Sequence, residues 1–225
     1  MSRTLNGRAS RFRIGSRPEL GAPISNRLSA SSRTVEPTAS RRSGRVSPCH
    51  IGGRLPLAFL RACARLGVAP GRFVLVVNIA RQTTALFERG ALKKTFRCST
   101  SKFGIGERAG SNRTPRGLHR IAEKIGGGWP TGTAFKGRKP IGFTWRGNAA
   151  ATITSRILWL EGLEPGFNRA GGVDSHSRFI YIHGTGNEPA LGRPDSHGCV
   201  HLAAQDLIPL YDKLPPGSLV WLTEN

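Results

Sequence analysis

From Phe73 onward, apolar residues come in short runs rich in β-branched side chains, each closed off by glycine or proline. That rhythm restricts the chain to brief strands joined by many turns, because a run of five to eight apolar residues is too short to nucleate a helix alone. "FVLVVNIA" follows Pro70-Gly71 and reads as a buried strand. "TTALF" and "ALKKTFRCST" read as the arms of a hairpin, with Gly90 supplying the turn. "LHRIAEKI", "ATITSRILWL", "RFIYIHG" and "SLVWLT" add four more strands. Leu207, Leu210 and Leu214 recur at helical spacing in "AAQDLIPLYDKL", so one short helix is expected despite Pro209, with Pro215-Pro216-Gly217 ending it. The 29 glycines and 15 prolines among 225 residues agree with a turn-rich, mainly β fold.

The first 72 residues differ in kind. They hold fourteen arginines, no lysine and two acids, against twenty basic and eleven acidic residues in 73–225. Residues 1–50 carry no apolar periodicity, and residues 51–69 carry only an apolar stretch interrupted by Arg54, Arg61 and Arg65. The expected organisation is a disordered Arg-rich arm over 1–72 and a folded domain over 73–225. Such an arm can bind nucleic acid through its phosphates, resembles an organellar transit peptide, or reflects a start codon placed too far upstream. Few aromatic residues interleave with the arginines, which argues against a stacking platform for single strands. The chain has no run of about 18 apolar residues, so no transmembrane segment is expected, and no secretory signal is visible.

Chemistry concentrates in "IHGTGNEPALGRPDSHGCVHL", residues 182–202, which holds His183, His197, Cys199 and His201. His183 closes a strand, where catalytic groups are commonly displayed. Cys199 follows Gly198 and precedes the expected helix. A thiol at a helix N-terminus has its acidity raised by the helix dipole, and a glycine beside it lets backbone N–H groups turn toward an oxyanion. The residues alone leave three readings: thiol catalysis with His183 as base, a zinc site extended by Asp174, His176 and Asp195, or a loop without function. The spacing of two between His197 and Cys199, and between Cys199 and His201, is tighter than usual for zinc ligands. Cys49, Cys63 and Cys98 fit no metal or redox spacing, and Cys63 and Cys98 read as small apolar core residues. The G-x-G at Gly104 and Gly106 lacks the helix that a phosphate site needs.

"IHGT" followed by "SHGCVHL" resembles the signature of the L,D-transpeptidase catalytic domain, the YkuD-like family. The resemblance extends back through "STSKFGIGERAGSNRTPRGLHRI" and covers roughly Phe73 to Thr223. It implies a β-sandwich-like domain with short helices and an acyltransferase that cross-links peptidoglycan in the bacterial cell envelope. Cys199 would be the nucleophile on a stem tetrapeptide and His183 the general base and acid. Backbone N–H groups around His197, Gly198 and Cys199 would hold the oxyanion, Ser196 would shape the loop, and Gly184 would leave room beside the base. No metal or cofactor is implied, and the partner is the peptidoglycan stem peptide rather than nucleic acid. Hydrolysis on the same fold, an L,D-carboxypeptidase, is the near alternative; a basic nucleic-acid-binding protein working through its arm is the distant one. His201 stands where the family commonly has arginine, which makes it a candidate substrate-binding residue and leaves substrate preference open.

Overall fold

The structure, a computed structural model, describes residues 53–143 and 152–225. It is mainly β, as the sequence implies. β1 (Phe73–Asn78), β2 (Thr83–Glu88) and β3 (Ala91–Ser99) form an antiparallel meander. β4 (Gly117–Ile125) pairs antiparallel with β7 (Thr154–Gly162) and with β10 (Leu219–Thr223), and β10 lies parallel to β1. β8 (Tyr181–Gly184) and β9 (Val200–Leu202) run parallel to each other between β7 and β3. Because β4 joins both β10 and β7, these eight strands close into a ring. β5 (Thr133–Lys136) and β6 (Lys139–Phe143) form a hairpin that extends outward from β7.

The two-residue period of a strand decides what faces where. Leu158 and Leu160 of β7, Ile182 of β8, and Val200 and Leu202 of β9 point inward. There they meet Leu75 and Val77 of β1, Ile121 of β4, and Val220 and Leu222 of β10. The two halves of the ring thus share one core, which makes the domain sandwich-like. α2 (Ala204–Lys213) adds Leu207, Leu210 and Tyr211 to that core. On the outer face of β7 and β8 a second cluster gathers Ile157, Trp159, Tyr181 and Phe135, and Cys199 packs against it. The same alternation that buries Ile182 and Val200 therefore turns His183 and His201 outward.

The expected boundary at Phe73 is too late. Leu57–Arg65 form α1, whose Phe59, Ala62 and Cys63 are buried against Val74, Val76, Phe87 and Leu219 on the outer face of the meander. These three occupy positions i, i+3 and i+4, one helical face. Arg61 lies on the exposed face and Arg65 reaches Glu164, so the arginines that interrupt the run do not interrupt the helix. The rest of the expected arm, residues 1–52, lies outside the described residues, and Cys49 with it. Cys63 and Cys98 are buried, as expected of core residues. Among the described residues, no helix is long and apolar enough to cross a membrane.

Candidate active site

The strand register builds the site. β8 and β9 run parallel with His183 opposite His201, and Ile182 opposite Val200. Cys199 leads directly into β9, on the same side as His201 and two residues before it. This corrects the sequence reading. Cys199 does not start a helix, because β9 intervenes and α2 begins only at Ala204. His201 shares a face with the cysteine, because in a strand residues two apart point the same way. The His183 and His201 rings stand 4.7 Å apart at 56°.

A cleft of about 390 Å³ opens over this face, lined by His183, Cys199, His201, His197, Lys102 and Asp195 among others. Four of the expected site residues thus meet in one place. Ser196, Gly198 and Gly184 lie behind it. Ser196 Oγ donates to the Cys199 carbonyl at 2.6 Å and accepts the Gly198 N–H at 3.2 Å, so the Gly198 N–H is turned inward rather than offered to an oxyanion. Gly198 has φ +122°, a conformation that side-chain-bearing residues rarely adopt. The space at Gly184 is filled by β7: a Cβ there would stand 2.6 Å from the Thr154 carbonyl oxygen. Its role is close approach of two strands rather than room for the base. His197 is exposed and packs beside the Phe103 ring at 5.5 Å.

The segment between β3 and β4 supports the cysteine loop. Asp195 and Ser196 N–H groups donate to the Thr100 carbonyl, and the Lys102 N–H to the Ser196 carbonyl. Thr114 Oγ1 accepts the Ser101 N–H and donates to the Gly198 carbonyl, both at 3.0 Å. Thr114 thus links the two loops that flank the cleft. Arg178, which sequence reasoning did not single out, donates to the carbonyls of Glu107 and Arg113 and lies close enough to Cys199 to favour the thiolate.

Electrostatics hold both central groups neutral. The Cys199 sulfur packs against the apolar cluster, and this burial pushes the thiol up to about 11, against the opposing pull of the Tyr181 backbone hydrogen bond and the Arg178 charge. The expected helix-start thiolate is therefore absent, and the thiol instead points to the Phe179 carbonyl at 3.4 Å. Burial and the neighbouring His201 lower His183 to about 3, although its hydrogen bond to the Gly184 carbonyl works the other way. That bond, from Nδ1 at 2.8 Å, leaves Nε2 as the free basic nitrogen.

The geometry does not assemble the zinc set. Among the described residues, no three His, Cys, Asp or Glu side chains are grouped closely enough to hold a metal ion. Asp174 and His176 belong to a separate cleft with Glu161 and Arg169, and His176 is stacked on Trp159 at 4.0 Å.

The comparisons with known proteins bear on the family and the mainly β fold. The model of the L,D-transpeptidase catalytic domain family, YkuD, matches residues 72–222, and the chain belongs to that family. An L,D-transpeptidase from Mycobacterium smegmatis is 15% identical with TM-score 0.42, covering 68% of this chain and 58% of its own. L,D-transpeptidase 3 from Mycobacterium tuberculosis, solved with a faropenem-derived adduct, is 16% identical with TM-score 0.45, covering 68% and 60%. An L,D-transpeptidase from Xylanimonas cellulosilytica is 18% identical with TM-score 0.41, covering 72% and 68%. The chain spans less than two thirds of the length of both mycobacterial structures. No curated protein sequence matches.

Proposed function

We propose that this protein is a cysteine-dependent peptidoglycan L,D-transpeptidase that forms 3–3 cross-links in the cell envelope through a thioester intermediate. The observation that carries the reading is the tethering of His183. Its Nδ1–H is committed to the Gly184 carbonyl, so Nε2 is the basic nitrogen on the face it shares with Cys199.

Because thiol and imidazole are both neutral at rest, the proton moves as the sulfur attacks. Cys199 Sγ adds to the carbonyl of the third residue of a stem tetrapeptide while His183 Nε2 takes the thiol proton. With the Gly198 N–H engaged, the backbone N–H groups of His197 and Cys199 are the remaining oxyanion donors of the expected three. The C–N bond then breaks, His183 returns the proton to the departing D-alanine amine, and a thioester remains. A neighbouring stem's amine attacks the thioester, His183 accepts its proton, and the thiol is restored. Arg178 and the Tyr181 N–H offset part of the cost of the anionic sulfur during both steps.

Intact-mass measurement after exposure to a carbapenem tests the reading. One adduct per chain is expected, absent from Cys199→Ala, which should melt within about 1 kcal/mol of the parent because it removes one part-exposed sulfur. Purified stem tetrapeptides should give a 3–3 dimer. Adduct formation in Cys199→Ala would overturn the assignment of the nucleophile, and release of D-alanine without a dimer would make the protein a hydrolase.

A further inference from the structure

Two imidazoles stand side by side over the cleft, and their surroundings differ in a way that sets their protons. His183 Nδ1 faces the Gly184 carbonyl, which can only accept, so Nδ1 carries the hydrogen and Nε2 the lone pair. His201 Nδ1 is buried and, among the described residues, has neither donor nor acceptor within reach. A hydrogen there would be an orphaned buried donor, which folded proteins tolerate less often than an orphaned acceptor. The bare lone pair therefore belongs on His201 Nδ1 and the hydrogen on Nε2, the ring nitrogen left on the accessible side of a residue that lines the cleft. Charging His201 would force a proton onto Nδ1 without a partner. The groups around it give little help: His183 on β8, His197 and Cys199 before β9, and Lys102 after β3 supply no anion. Asp195, the one acid among the described residues that line the cleft, already accepts a hydrogen bond from Asn187.

We propose that His183 and His201 are locked in opposite tautomers, and that the His201 Nε2–H is a neutral hydrogen-bond donor to a carbonyl or carboxylate oxygen of the acyl-donor peptide. His183 supplies the base and His201 supplies a fixed donor, so the two rings do not compete for the thiol proton. A neutral donor reads the presence of an acceptor oxygen rather than its charge. The contact therefore holds the donor peptide with the same strength across neutral pH. The substrate contact rests on the transpeptidase reading above; the tautomers do not.

Nitrogen NMR of the uniformly labelled full chain reads the tautomers directly. At pH 7, His201 should show a protonated Nε2 and a bare Nδ1, His183 the reverse, and neither should titrate between about pH 5.5 and 8. A protonated Nδ1 on His201, or a titration in that window, overturns the tautomer. For the contact, His201→Gln keeps an amide N–H near the Nε2 position, and His201→Leu removes the donor. With a D-alanine-terminated stem tetrapeptide, the Leu variant should raise KM about tenfold and leave kcat within about threefold, while the Gln variant should stay within about threefold of the parent in both. Equal KM in the parent and the Leu variant overturns the contact. Carbapenem acylation of Cys199 in each variant keeps the two readings apart: a parent that is never acylated sinks the transpeptidase reading, and an acylated Leu variant with unaltered KM sinks only the contact.

Discussion

Cys199 and His183 both sit where their charged forms are disfavoured. Burial raises one and lowers the other, so neither titrates near neutrality. If the thiol attacks as His183 takes its proton, the working form is neutral thiol plus neutral imidazole, present from above the lowered His183 value to below the raised Cys199 value. The carbapenem acylation rate should then be flat, within about threefold, between about pH 6 and 9. A stopped-flow pH profile checks this. A tenfold rise per pH unit across that range would show a freely ionised thiolate acting without His183. Thr114 acts one step further out. Thr114→Val keeps its shape but leaves the Ser101 N–H and the Gly198 carbonyl unpaired in a buried place. The expected cost is about 1–3 kcal/mol for each group left unpaired. Acylation should also slow about tenfold, because the residue before Cys199 loses its anchor. A variant with parental melting temperature and acylation rate would show that Thr114 does not position the loop.

At the scale of elements, helix α1 is where an expectation from sequence failed and a measurement is cheap. Phe59 is fully buried on the meander, and it edges the Trp221 ring at 6.3 Å. Phe59→Ala should destabilise by about 3–5 kcal/mol, read as a shift in urea midpoint at constant slope. An unchanged midpoint would mean that α1 contributes nothing to the fold. That this segment packs on the domain escaped notice because Leu57 and Leu60 are exposed while the small Ala62 and Cys63 share the buried face with Phe59, so apolar size and burial are partly out of step. Strand β9 escaped for a different reason. Three residues between Gly198 and a helical pattern give no periodicity to read, and only the pairing with β8 and β3 makes Val200–Leu202 a strand. The β5–β6 hairpin is glycine- and lysine-rich, and all five β6 residues are exposed, so no apolar alternation marks it. By contrast β1, β2, β7 and β10 were legible, because each buries both faces or one strictly alternating face. The candidate site was legible as a set of residues and not as a geometry. Spacing brought His183, Cys199 and His201 into view, but their common face depends on a parallel register that no local signal encodes.

Among the described residues three histidines are held buried and neutral, and this ties the stability of the molecule to pH. His119 is fully buried between the Gly117 carbonyl and Ser175 Oγ and is lowered to about 4 by burial; His183 is lowered to about 3 and His201 to about 4. In the unfolded chain each returns to about 6.5. Above that value neither state binds the proton, and the stability is complete. As the pH falls below 6.5 the unfolded state takes up protons that the folded state refuses, so unfolding is favoured until the folded values are reached. Each histidine contributes a slope of about 1.4 kcal/mol per pH unit in that window, and the three together about 4. A net stability of about 5–15 kcal/mol, ordinary for a domain, would be largely lost between pH 6 and 4. Urea midpoints at pH 7, 6 and 5 should therefore drop steeply, with little change between pH 7 and 8. His119→Gln retains a polar side chain for the Gly117 and Ser175 partners and removes one titrating group that does not line the cleft. Whatever its effect on absolute stability, it should cut the slope between pH 6 and 5 by about a third. A parent protein equally stable at pH 7 and 5 would show that these imidazoles are not held neutral in the folded state.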